Sequence, residues 1–116
     1  MRIYDRALII DDPWISLILD GKKTLEMRSK PTKIRGRIGL IKKGTGHIFG
    51  DAWLDECVDI GKNNLLEVFG DCHCIDYRKN PELRKYKYAW RLERVNKYYN
   101  PVPYKHPQGA VIWVKV

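Results

Sequence analysis

Apolar residues recur along the chain with two different spacings, and the change from one to the other lays out the elements. Arg6-Ala7-Leu8-Ile9-Ile10 is a short apolar run, β-branched at its end, and predicts a buried strand. A helix follows. Asp12 is a good N-cap and Pro13 suits the first helical position; Trp14, Ile15, Leu17, Ile18 and Leu19 supply the apolar face, and Gly21 stands at the C′ position. Leu25 and Met27 then alternate with Thr24, Glu26 and Arg28, which is the period-2 signature of a half-polar strand.

Ser29 to Gly36 carries Pro31 among basic residues and predicts an exposed loop, after which Arg37 to Ile41 resumes as a strand and Gly44-Thr45-Gly46 turns the chain. From His47 to Ile60 one long strand is expected. Ile48, Gly50, Ala52 and Leu54 lie on one side and Asp51, Trp53 and Asp55 on the other, and Val58 and Ile60 change register through a bulge. Asn63 to Phe69 and Pro81 to Tyr86 read as short helices or turns, and Trp90 to Tyr98 and Ala110 to Val116 as closing strands. Mostly antiparallel strands with one firm N-terminal helix and one or two short ones predict an α+β, mainly β fold. A small barrel suits that order better than a βαβ sheet.

Composition narrows the class. The 116 residues, 44% of them hydrophobic, have room for one core, so residues 1–116 are expected to form a single domain. Such content argues against a disordered tail. Near the N-terminus the longest uncharged apolar stretch, Pro13 to Leu19, falls far short of the ~18–20 residues that span a bilayer, so no membrane partner is expected. Met1-Arg2-Ile3-Tyr4-Asp5 places charges where a secretory signal needs its apolar run, which points to a cytoplasmic protein. Cys57, Cys72 and Cys74 cannot all pair within the chain and are read as reduced thiols.

The net charge of +8 is unevenly spread. Lys22 to Lys43 carries +8, Asp51 to Asp76 carries −6, and Arg78 to Lys97 carries +6 with Tyr86, Tyr88 and Trp90 interleaved. If the two basic segments share a face, they attract polyanions, and the aromatic rings offer planes on which bases stack. A solubilising surface is the plainer alternative.

Chemistry concentrates just after the predicted helix. Within Gly21 to Arg28, alternation sets Glu26 and Arg28 side by side, and Lys23 at the strand's start is free to swing toward them. Arg28 can grip a carbonyl edge or a phosphate with its planar fork, and Glu26 can accept from an exocyclic amine. Lys23 can polarise an acyl oxygen, or act as base or nucleophile if burial lowers its pKa. A solvated strand face with a salt bridge is the bland alternative for such a string.

Context sharpens the choice. Pro13-Trp14, followed by Ile18-Leu19-Asp20-Gly21-Lys22-Lys23-Thr24 and then Glu26, Arg28 and Ser29, resembles the signature of the ASCH domain family, whose hallmark is G-x-K-x-x-E-x-R. Gly21, Lys23, Glu26 and Arg28 match all four positions. Arg35-Gly36-Arg37-Ile38, Tyr88-Ala89-Trp90 with Leu92, Pro103-Tyr104, and Gln108 through Trp113 extend the resemblance over nearly the whole chain. It implies a PUA-like fold, a small and mostly antiparallel β-barrel with helices around it and the motif facing a cleft. It also implies work on RNA or modified nucleosides, as binding module, transcription coactivator or hydrolase. One branch hydrolyses N4-acylated cytidine with a Lys, a Thr at the position of the motif Glu, and a distant Glu; here Lys23 matches and Glu26 stands where that Thr would be. Another cleaves single-stranded RNA without metal, using a Lys and hydroxyl-bearing residues.

The leading expectation is a domain binding RNA, a modified nucleoside or single-stranded nucleic acid, with Lys22, Lys23, Glu26, Arg28, Arg37 and Trp53 as ligand-binding residues and surrounding cations on the phosphates. The alternative is a metal-independent hydrolase, an N4-acylcytidine amidohydrolase or ribonuclease, with Lys23 and Glu26 catalytic. A third is a protein-interaction module with acidic partners. No cofactor or metal is expected, because Cys72-His73-Cys74 sets its ligands too close together for a tetrahedral site. His47 and His106 read as loop residues, and neither Ser16 nor Ser29 has triad partners in view. Trp14, Trp90 and Trp113 read as core.

Overall fold

The computed structural model describes residues 3–116. Its elements run β1 (Arg6–Ile10), α1 (Trp14–Leu19), β2 (Leu25–Arg28), β3 (Gly36–Lys42), β4 (His47–Asp59), α2 (Leu65–Val68), α3 (Gly70–His73), a 3₁₀ turn (Pro81–Lys85), β5 (Tyr88–Pro103) and β6 (Trp113–Lys115). The six strands form one sheet in the order β2-β5-β4-β3-β1-β6, with β1 and β3 parallel and every other pair antiparallel. Among the described residues, no helix is long and apolar enough to cross a membrane.

The helix starts one residue later than expected and stops as its local chemistry dictates. Pro13 rather than Asp12 is the N-cap, with no side-chain cap bond; Asp12 instead accepts from the Ser16 backbone amide (3.3 Å) and hydroxyl (2.5 Å), four residues on. At the other end Gly21 takes φ +78°, and its amide bonds Ile18 O while the Lys22 amide bonds Leu17 O. This is a Schellman stop, and its left-handed residue is a glycine because side chains rarely adopt that conformation. Ile15 and Ile18 bury against Leu8, Ile10, Ile38, Leu40, Ala52, Leu54, Trp90 and Leu92, so α1 covers one face of the sheet. Gly50 lets it come close. A Cβ there would stand 2.5 Å from Asn96 O and 2.6 Å from Leu19 Cδ2. Gly50→Ala is therefore expected to cost about 1–3 kcal/mol, read as a lowered midpoint in urea unfolding.

The expected barrel is not closed. The sheet curls so far that Arg28 on the edge strand β2 reaches β1, where its Nη2 donates to Ile9 O at 2.8 Å. Closure would need a backbone ladder between β2 and β6, strands of four and three residues. Across this seam the contact is instead a charged side chain, from Arg28 on β2 to the backbone of β1.

Two strand boundaries also differ from expectation. β5 runs on to Pro103 because it resumes pairing with β4 at Val102 and Pro103 after a protrusion that leaves Tyr99 almost fully exposed. The last strand is confined to Trp113–Lys115, since Ala110 turns back on Pro107 O and β1 offers a partner only as far as the Ile9 amide, which bonds Ile112 O. β4 has three register irregularities against β5 rather than one change near Val58.

Candidate functional site

Lys23, Glu26 and Arg28 meet at the open seam. The Schellman stop turns the chain so that the Lys23 amide also bonds Leu17 O, and the Lys23 side chain enters the interior, where it is 1% exposed. Its Nζ donates to His73 O at 2.5 Å, stands 3.9 Å from Glu26 Oε1, and lies 5.1 Å from the centre of the Trp14 ring. Burial lowers its pKa from 10.5 to about 8, a shift that the Glu26 carboxylate opposes and Arg28 reinforces.

Glu26, 5% exposed, is held from the other side. Arg28 Nε and Nη2 both donate to its Oε2, at 3.1 and 2.8 Å, and the guanidinium lies over the Trp90 ring at 5.5 Å. Oε1 accepts no hydrogen bond among the described residues and faces Lys23. Two cations and one anion thus share a site with a surplus positive charge. They line a cleft of about 260 Å³, together with Ile9, Trp14, Tyr86 and Val111 among others. That volume lies just below the ~300–1,000 Å³ typical of drug-sized ligands, so it suits one small planar ring.

The wall opposite comes from the 61–87 segment, where sequence patterning is least informative. His73 pins it. The ring is fully buried; Nδ1 accepts from the Ile75 amide at 2.9 Å, so Nε2 carries the proton and donates to Leu66 O at 2.5 Å. Burial lowers its pKa, and both nitrogens are engaged by backbone, which leaves neither to face a ligand. The Thr24 amide bonds Cys72 O, and the Cys74 thiol donates to Lys22 O, so the 72–74 segment is stitched to the motif.

The other residues singled out from the sequence lie elsewhere. Lys22 is exposed, and neither it nor Arg37 nor Trp53 lines the cleft. Arg37 Nη1 donates to Asp51 Oδ1 (3.1 Å) and Arg94 O (2.6 Å), and the Arg37 and Arg94 guanidinium groups both lie against the Trp53 ring, at 5.9 and 5.7 Å. Arg94 sits at φ +51° where β5 bulges against β4, which presents its carbonyl to Arg37. Asp51 also accepts from the Tyr98 hydroxyl at 2.7 Å, so this outer-face cluster is tied down by a buried network.

Charge is spent internally as well. Arg37, Arg91 and Arg84 each pair with an acid of the 51–76 segment, namely Asp51, Asp55 and Glu67, so the two basic segments do not form one uninterrupted face. Trp90 is core, its Nε1 donating to Lys30 O and its ring stacked on Trp113. Trp14, expected in the core, is half-buried and lines the cleft. Its place at the start of the helix whose stop delivers Lys23 was the one available signal.

A family model described as ASCH domain matches residues 8–102. No curated protein matches the chain. Among solved structures, the crystal structure of ASCH from Zymomonas mobilis is similar at TM-score 0.70 and 18% identity, over 96% of this chain and 86% of that one. Two single-substitution variants of that protein are similar at TM-score 0.69 and 19% identity, over 96% of this chain and 87% and 88% of theirs. At such identity the likeness establishes the fold.

Proposed function

The chain belongs to the ASCH domain family, generally linked to RNA binding, and on that premise we propose that its cleft binds one nucleobase of RNA or of a modified nucleoside. The observation that carries this reading is the cluster of buried Lys23 and Glu26 with half-buried Arg28, which keeps unspent hydrogen-bonding capacity. Glu26 Oε1 is available to accept from an exocyclic amine, and Lys23, with one of three donors on His73 O, can reach an adjacent ring nitrogen or carbonyl. Burying the Lys23 ammonium and the Glu26 carboxylate, with Arg28 half-buried beside them, is a costly way to hold a fold, and a lysine perturbed as Lys23 is belongs more often to a functional site. Trp14 and Tyr86 line the same cleft and offer it aromatic side chains. Lys43, on the cleft wall and in an exposed pair with Asp11 at 3.8 Å, is the cation placed for the backbone phosphate.

The depressed Lys23 pKa favours a second reading, a hydrolase in which its free amine rather than a metal ion activates water toward an acylated base amine or an RNA phosphodiester. The two readings predict opposite pH slopes. A binder needs the ammonium, so affinity falls about tenfold per pH unit above about 8. A hydrolase needs the amine, so turnover rises with pH and levels off beyond about 8. Titration calorimetry with single-stranded RNA and N4-acetylcytidine between pH 6 and 9, with product analysis of each mixture, separates them. Affinity that does not weaken as salt rises would remove the phosphate contacts from either reading.

A further inference from the structure

Beside the cleft lies a second cavity of about 420 Å³, and the two share Ile9, Lys43 and Val111 as a common wall. We infer that they form one groove, and that the ligand is therefore a strand of at least two nucleotides. The motif cleft takes one base, the second cavity takes its neighbour on the Tyr104-His106 ring pair, and Lys43 holds the phosphate between. This inference rests on the reading of the motif cleft given above.

Three observations favour a nucleotide over an apolar occupant. Among the described residues no acidic side chain lines the second cavity, and the charged one there, Lys43, is shared with the first, where its Nζ stands 3.8 Å from Asp11 Oδ2 in an exposed pair that a phosphate can replace. Its far wall is aromatic: the Tyr104 and His106 rings meet edge-on at 5.7 Å. That wall is also held in place. His106 Nε2 donates to Ala110 O at 2.9 Å, which leaves Nδ1 to accept from the Tyr104 hydroxyl at 2.8 Å, while the Tyr104 amide is fixed on Gly46 O. Held by these bonds, the two rings stand at 61° to each other and form an angled aromatic wall on which a base can stack against one face. Gly44 and Gly46 also line the cavity, and having no side chains they leave it open.

The loop from Tyr104 to Ile112 is anchored at both ends, by Gly46 O and by the Ile9 amide, so it does not need the ligand to organise it. Val111, 75% exposed, lines both cavities and is reachable by a strand that crosses from one to the other.

The test is a calorimetric comparison of the four ribonucleoside 5′-monophosphates with the sixteen ribodinucleotides, on wild type and on Tyr104→Leu, His106→Ala and Lys43→Gln. The best dinucleotide is expected to bind at least ~10-fold more tightly than the best mononucleotide. That gain should vanish in His106→Ala and Tyr104→Leu with mononucleotide affinity unchanged, and Lys43→Gln should lower the salt dependence of dinucleotide binding by about one ion. His106 and Lys43 are exposed, so these two variants report even if Tyr104→Leu does not fold. Mononucleotide binding with no dinucleotide gain, or a gain that survives both exposed variants, overturns the groove and leaves the motif cleft standing. No binding of any ligand overturns both.

Discussion

Lys23→Met is expected to weaken binding of short single-stranded RNA by about ten- to hundredfold at pH 7, with no loss of thermal stability. A hydrogen bond to a charged group is worth about 1.5–3 kcal/mol, and each ~1.4 kcal/mol is a factor of ten in affinity. The fold has little to lose. Glu26 keeps both hydrogen bonds from Arg28, and the ammonium removed is one that burial already drives toward deprotonation. His73 O loses a donor, which offsets part of the gain. An unchanged or raised melting midpoint together with lost binding is the signature of a residue kept for function. Unchanged binding with a fall in stability would make Lys23 a structural residue.

Glu26→Ala has the opposite character. Glu26 is the only acid among the three motif charges, and removing it leaves two cations facing each other, one of them 1% exposed. Breaking a buried ion pair from one side costs about 3–5 kcal/mol, a large share of the ~5–15 kcal/mol that holds a domain together. A fall in melting midpoint on the order of 15 °C follows. The loss should depend on pH. Lys23 already titrates below the ordinary 10.5, and without Glu26, which raises its pKa, the folded-state value drops further. The unfolded chain then binds more protons than the folded one between those two values, so stability recovers as pH rises through the folded pKa toward 10.5. Melting curves of the variant at pH 6, 7.5 and 9 read this directly; a deficit independent of pH would mean that Lys23 does not feel Glu26.

What could be read from the sequence was what depends on neighbours in the chain. Gly21 stops a helix whose face is written in Trp14 to Leu19, and alternation sets Glu26 and Arg28 on one side of β2; both features are in the structure. The depth of Lys23 could not be read, because it depends on His73, fifty residues on and within a stretch of four-residue helices that leave almost no periodic signal. Nor could the open seam. Strand patterns specify faces, whereas the contact that reaches across the open side, from Arg28 on β2 to Ile9 O on β1, is made by one long side chain and leaves no periodic trace. Asp51 and Trp53 do lie opposite Ala52 and Leu54, as alternation requires. Yet Asp51 is buried and Trp53 is 38% exposed, because the bulge at Arg94 and the hydroxyl of Tyr98 close over the former.

The two clusters that a nucleic acid could contact, the motif cleft and the Arg37-Trp53-Arg94 outer face, involve separate sets of residues, so one titration distinguishes them. Amide chemical-shift mapping with a short single-stranded RNA at low salt is that measurement. Binding at the motif predicts shifts centred on Trp14, residues 21–28, residues 72–76 and Val111, saturating together and absent in Lys23→Met. Shifts confined to the neighbourhood of Trp53 and Arg94, with Lys23 and Glu26 undisturbed at saturation, would contradict it.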